Sequence, residues 1–303
     1  MRSARFLGFL SLACCLVACG SEDVDPGTQV ARDSLSWESG PFEVPAGESF
    51  ECFYTDMITD RELSVISAAA EQAAGGHHVT VYYVDNERPV GHANCSGTTE
   101  MADWHFVVGA GGEGNQLGDF AQLAEGLAIK IPAGKQLMVQ THYINTTGTP
   151  QVNNDKLLIK LIEPAEVKAY AADFVILNDG FEIPPNASLT SSTVCTVQAD
   201  VQLTMLLGHM HEHGQQYTLE IVDELGETKE TLYDEAWKPD FSSHPPALLY
   251  TMNDPLILRG GTRLRQTCTW HNNSADVLLF PTEMCIGFGY YFPGNDRIMC
   301  EEP

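Results

Sequence analysis

The chain has 303 residues, with 16 Lys and Arg against 41 Asp and Glu and a net charge of −25. That excess of acid argues against nucleic acid and anionic membrane surfaces as partners and suits solubility outside the cell. With 44% hydrophobic residues, the chain has enough apolar surface for one large domain or two of ordinary size.

Arg2 and Arg5 precede an apolar run at 6–18 that is too short to span a bilayer but suits the central region of a secretory signal. It closes in Leu16-Val17-Ala18-Cys19-Gly20, which resembles the lipobox of bacterial lipoproteins. Cys19 is therefore expected as the lipid-bearing first residue of the mature chain, the alternative being an ordinary signal with a chance cysteine. Residues 1–18 read as a lipoprotein signal peptide and 19–33, rich in Asp, Gly and Ser, as a solvated lipidated tether. Residues 1–18 carry two of the 16 basic residues and none of the 41 acidic ones, so their removal takes the net charge to −27. No later apolar stretch is long enough for a transmembrane helix. The expectation is a body in the cell envelope, periplasmic or surface-exposed, held to a bacterial membrane only through its lipid.

Of nine cysteines, Cys14 and Cys15 fall in the signal and Cys19 at its end. The remaining six, Cys52, Cys95, Cys195, Cys268, Cys285 and Cys300, read in an exported chain as three disulfides, whose connectivity spacing leaves open. No Cys-x-x-Cys pair supports a thiolate metal site.

Residues 61–74 (RELSVISAAAEQAA) form the one segment with helical character. After it, 79–84, 127–131, 137–144, 156–162, 217–222 and 264–270 alternate β-branched and aromatic residues between Gly, Pro, Asn and Asp, which predicts short strands. This is the pattern of an all-β sandwich or jelly roll. No internal repeat is evident. The best division falls at Glu163-Pro164-Ala165, giving domains at 34–164 and 165–303.

Four clusters carry candidate chemistry: His77-His78 after Gly75-Gly76, Gln140-Thr141-His142-Tyr143, His209-Met210-His211-Glu212-His213-Gly214, and Glu283-Met284-Cys285. A thioether beside imidazoles suits copper cycling between its two oxidation states. On a strand, His209 and His211 project from one face, with Met284 supplied by another strand and His213 ranking behind it as a ligand. The apolar residues 203–207 before them favour a buried site over a solvated polar face. Adjacent His77 and His78 point to opposite faces of a regular strand, so both reach one ion only at an irregularity, which Gly75-Gly76 permits. His142 is the plausible third imidazole. His92, His105, His244 and His271 read as structural histidines, and Trp104 and Trp270 as core aromatics.

With Gly289-Tyr290-Tyr291-Phe292-Pro293 after them, these clusters in this order resemble the copper type II ascorbate-dependent monooxygenases, the family of dopamine β-hydroxylase and the peptidylglycine α-hydroxylating enzyme. The resemblance implies two tandem jelly-roll β-sandwich domains facing each other across an open, solvent-filled cleft. It implies two copper ions per chain: an electron-transfer copper on His77, His78 and His142, with Gln140 nearby, and an oxygen-binding copper on His209, His211 and Met284. It also implies the disulfides Cys52 with Cys95, Cys195 with Cys300, and Cys268 with Cys285. The implied reaction is hydroxylation of a C–H bond using O2 and a reductant such as ascorbate. Where the amidating branch grips a peptide carboxylate, this chain has Leu207, Ile286 and Phe288, which points away from a glycine-ended peptide and toward a neutral, hydrophobic or aromatic small molecule. The alternative is a non-catalytic copper-binding lipoprotein that buffers, delivers or senses copper. A zinc hydrolase lacks a carboxylate base at ligand spacing.

Overall fold

The computed structural model describes residues 33–96, 98, 103–111, 119–120, 123–242 and 244–300. The expected signal at 1–18 and the lipid site Cys19 lie outside these. Among the described residues the regular structure is strand, apart from 3-10 turns at Pro164–Glu166 and Pro239–Ser242. The protein is all-β, as the alternation predicts.

The strands build two sandwiches. In the first, Gln136–Asn145 lies between Gly47–Ile58 and Gly76–Val84 in a six-stranded sheet. Its inner face, with Val79, Val81 and Val139, packs on Val65, Ile129 and Ile159 of the opposing layer. In the second, Arg263–Asn272 lies between Ala187–Thr196 and Gly214–Val222. Tyr217, Leu219 and Trp270 from that sheet pack against Phe174, Ile176, Leu203 and Leu206. Alternating residues thus fill two cores while their neighbours face outward.

The helical expectation for 61–74 is wrong. Leu63–Glu71 is a strand, paired antiparallel with both Lys156–Leu161 and Leu127–Ile131. Its alanines favour a helix in isolation, but Val65, Ala68 and Ala70 are buried in the first core, and two neighbouring strands satisfy the backbone. Tertiary pairing overrides a local preference worth less than about 1 kcal/mol per residue.

One strand belongs to both halves. Ala169–Leu177 pairs in parallel with Leu127–Ile131 through Ala169, Tyr170 and Ala171, then antiparallel with Ile286–Phe292 from Ala172 onward. A ten-stranded sheet therefore runs through the whole molecule. Met205, Leu207, Tyr290 and Phe292 from the second half pack in the first core. The three disulfides are Cys52–Cys95, Cys195–Cys300 and Cys268–Cys285, the pairing the resemblance implies.

An internal repeat is present after all. Buried Asn145 donates through Nδ2 to the carbonyls of Val44, Pro45 and Thr149, and accepts at Oδ1 from the Thr147 amide. Buried Asn272 does the same with Ile183, Pro184, Asp276 and Ser274. The segments so gripped are Phe42-Glu43-Val44-Pro45 and Phe181-Glu182-Ile183-Pro184. Two residues before each asparagine, an aromatic residue donates to a buried carboxylate: Tyr143 to Asp155, and Trp270 to Glu283. The matching residues are few and widely spaced, which hides the repeat in the sequence.

Burial pushes the Asp155 carboxyl up to about 6, whereas an unfolded aspartate titrates near 3.9. Between these values the folded chain holds a proton that the unfolded chain has released, so this contribution to stability is complete below about pH 4 and is lost as pH rises through about 6. Asp155→Asn keeps an acceptor for Tyr143 without the charge. Urea denaturation is expected to show wild-type stability falling by roughly 2–3 kcal/mol relative to Asp155→Asn from pH 4 to pH 7. Parallel pH profiles of the two proteins would contradict this.

Candidate metal centre

The first histidine set is made by a bulge. Where Gly76–Val84 pairs with Gln136–Asn145, His78 stands opposite His142 and Gly76 opposite Tyr143, leaving His77 as the extra residue. Gly75 makes this possible with φ 81°, and a Cβ there would lie 2.8 Å from the Ile144 carbonyl oxygen. One ring nitrogen from each of His77, His78 and His142 then lies within 4.8 Å of the others. Nδ1 of His77 and Nδ1 of His142 are 3.1 Å apart, and His142 Nε2 donates to Glu48 Oε1 at 2.8 Å. Phe50 stacks on the His142 ring at 4.0 Å.

Burial lowers the pKa of all three imidazoles. His77 falls to about 4, with Glu48 opposing the shift, and His78 and His142 lie well below their ordinary value, lowered further by the neighbouring histidines. They are therefore neutral at physiological pH, the state that metal coordination requires. Three convergent neutral nitrogens fit copper.

The second set departs from the expected strand pair. Val201–His209 ends at His209, and His211 lies in the following turn, yet the two rings meet edge to face at 5.2 Å. Glu283 replaces the sheet ladder there: fully buried, it accepts from the amides of His211 (3.1 Å) and His213 (2.8 Å) and from Trp270 Nε1 (3.1 Å). Burial raises its pKa, with His211, His213 and their amides opposing. Because His211 Nδ1 donates to the Thr282 carbonyl at 2.9 Å, Nε2 is left for a ligand. Burial also holds His209 well below its ordinary pKa, with His211, His142 and His77 adding to the shift.

Met284 follows directly, half-buried in the irregular stretch before Ile286–Phe292 and next to Cys285, which is bonded to Cys268. His213 is held by its backbone, its carbonyl accepting from the His271 amide at 2.9 Å.

The two sets meet at the seam between the halves, with the His142 and His211 rings 6.4 Å apart. The cleft is thus narrower than the open gap the resemblance implies, and its free space is divided into separate cavities lined by both halves. One of about 200 Å³ is lined by Met284, Gln140, Glu48, Phe50 and Thr282. Another of about 670 Å³ is lined by His77, Asn145, Glu212, Asp240 and His244. Gln140 Nε2 points to both sulfurs of Cys52–Cys95, at 3.7 and 3.6 Å.

Leu207, Ile286 and Phe288 line neither of these two cavities. Leu207 stands opposite Phe288 and His209 opposite Ile286, so all four share the face turned toward the first half. Leu207 is buried in the first core, and Phe288 packs on Phe106 at 5.2 Å. Leu207 and Phe288 thus serve the shared core, beside His209.

Glu48 and His244 are residues that sequence reasoning missed, and Glu283, named there only as part of its cluster, proves to hold the turn that carries His211. His244 was grouped with His92, His105 and His271, which have structural partners in Glu51, Asp85 and Ser188. It instead shares a cavity with His77. No local spacing marks the bond of Glu48 to His142 across 94 positions, or those of Glu283 to the His211 and His213 amides across 72 and 70.

The fold and donor sets define an all-β, two-sandwich protein whose seam carries a histidine centre suited to a transition metal. Residues 172–303 match the model for the copper type II ascorbate-dependent monooxygenase, C-terminal domain, a span containing His209, His211 and Met284. The match supports that family for this stretch of the chain. No match is found among curated proteins. Among solved structures, PNGase F, a glycosylasparaginase from Flavobacterium meningosepticum, aligns with a TM-score of 0.36 and 8% identity over 89% of this chain and 98% of that one. The STIV MCP aligns at 0.33 with 10% identity over 86% and 91%. Neither likeness bears on function.

Replacing Glu283 by Ala strands three N–H donors, the buried ones of His211 and Trp270 and the part-buried one of His213. A loss of at least about 3 kcal/mol is expected in chemical denaturation. A loss under about 1 kcal/mol would mean that the carboxylate does not hold the turn.

Proposed function

We propose that the protein is a copper-dependent monooxygenase that hydroxylates a C–H bond of a small, neutral or aromatic organic molecule, using O2 and an external reductant such as ascorbate. The observation that carries this reading is the convergence of His77, His78 and His142 within 4.8 Å, at a seam whose other side is the family-matched half with His209, His211 and Met284. In this reading His77, His78 and His142 of the domain at 34–164 hold an electron-transfer copper. His209, His211 and Met284 of the domain at 165–303 hold the oxygen-binding one. Copper supplies one-electron redox chemistry and oxygen activation when bound there.

The rest falls to side chains. Burial keeps the imidazoles unprotonated, and the Thr282 carbonyl sets the tautomer of His211. Phe50 covers one face of His142 and, with Met284, gives the 200 Å³ cavity an apolar lining suited to a small substrate. Gln140, on the same wall, orders the cavity from the Cys52–Cys95 side. The reading extends to export, with the protein anchored in the cell envelope through lipid on Cys19; its partners are then the small molecule and O2. No helix among the described residues is long and apolar enough to cross a membrane.

Copper analysis is expected to give two ions per chain, falling to one in His142→Ala. Ascorbate-dependent oxygen uptake should be coupled to hydroxylated product across a panel of small aromatics. Met284→Leu, nearly equal in volume, should keep the fold and lose turnover. Two coppers bound without turnover on any substrate would instead favour the copper-binding lipoprotein, and a chain that binds no copper would overturn both readings. Because His77 protonates only at about 4, occupancy of the first site should stay nearly level from pH 8 to pH 5. Copper release near pH 6.5, followed by electron paramagnetic resonance, would contradict this.

A further inference from the structure

Glu48 belongs to none of the clusters, yet it touches the first histidine set and also lines the cavity beside Met284. It lies near the start of Gly47–Ile58, the strand that pairs with Gln136–Asn145, with Phe50 opposite His142 and Glu48 opposite Ile144. Glu48 and Phe50 are two apart and so share a face. From that face Phe50 lies flat on the His142 ring, with an interplanar angle of 9°, while Glu48 Oε1 reaches the ring edge at 2.8 Å from Nε2.

The hydrogen-bond chemistry leaves one arrangement. An ionised carboxylate can only accept, so the proton of a neutral His142 must sit on Nε2. The ring lone pair is then on Nδ1, which faces His77 Nδ1 at 3.1 Å, inside the triad. Without Glu48 both ring nitrogens could carry the proton, and the ring would present a lone pair to the triad only part of the time.

We propose that Glu48 is a positioning residue: its carboxylate fixes His142 as the Nε2–H tautomer, so that Nδ1 is offered to the metal shared with His77 and His78. The carboxylate makes that imidazole a more electron-rich donor and thereby stabilises the oxidised ion at this site relative to the reduced one. The first half of this assignment stands on the metal-free geometry, and the second rests on the copper reading above.

Two measurements test it. Nitrogen-15 spectra of the metal-free protein, with His142 assigned by comparison with His142→Gln, should show a single Nε2–H tautomer in the wild type. Glu48→Gln, which keeps an acceptor oxygen, should retain that tautomer, and Glu48→Ala should give a mixture. In the copper-loaded protein, redox titration should show one of the two potentials raised in both variants and the other unmoved. Affinity at the first site should weaken by roughly 10- to 100-fold in Glu48→Ala. A general structural defect would shift both potentials. An unchanged His142 tautomer in Glu48→Ala, or unchanged potentials in both variants with both ions bound, would overturn the role of Glu48 while leaving the monooxygenase reading intact. A wild type that binds no copper but shows the Nε2–H tautomer lost in Glu48→Ala would retain the tautomer assignment and remove the copper reading.

Discussion

The centre depends on the strand Ala169–Leu177. It is hydrogen-bonded on one side to Leu127–Ile131 and on the other to Ile286–Phe292, so the two halves cannot shift relative to each other without breaking a continuous ladder. Packing reinforces the ladder, because Met205, Leu207, Tyr290 and Phe292 are buried in the core of the opposite half. Unpairing those strands would expose backbone groups and apolar surface together, costing far more than the single contacts across the seam. This lock brings the end of Val201–His209 against the outer face of the six-stranded sheet and sets His142 6.4 Å from His211. Two sandwiches on a loose linker would hold the same ligands without holding that distance.

Within this frame each half repeats one plan and uses it differently. The turn before Gly76 and the turn before Gly214 close with equivalent hydrogen bonds, Gly76 N–H to the Ala73 carbonyl at 2.9 Å and Gly214 N–H to the His211 carbonyl at 3.2 Å. Each turn is also tied to the strand behind it, through Ile144 N–H to the Gly75 carbonyl and His271 N–H to the His213 carbonyl. In the first half the turn is Ala73-Ala74-Gly75, and the ligands come after it at the bulge; in the second the turn itself carries His211. A buried carboxylate stands behind each, Asp155 bonded to Tyr143 and Glu283 bonded to the His211 and His213 amides. The two donor sets differ because the same scaffold places ligands at different points around equivalent turns.

Much of this was legible along the chain wherever the signal was local. Period-two alternation marked six of the strands, among them those that carry His78 and His142, Gly75-Gly76 marked the irregularity that adjacent histidines need, and the order of the clusters carried the family. The signal failed where the deciding partner was remote. Residues 61–74 look helical until Lys156–Leu161 and Leu127–Ile131 pair with them on both sides. Nothing along the chain shows that Leu207 and Phe288 pack against the opposite half. Glu48 looks like one acid among many, since its 2.8 Å bond to His142 spans 94 positions.

The sequence by itself determined the all-β class and the residue types able to bind copper, because strand periodicity and donor chemistry are properties of neighbouring residues. Tertiary structure alone decided that the two sets share one seam, that His211 is held in a turn by a buried glutamate, and that a carboxylate orients His142. Those outcomes depend on distances between segments far apart in the chain, and such distances are set by sheet pairing and core packing.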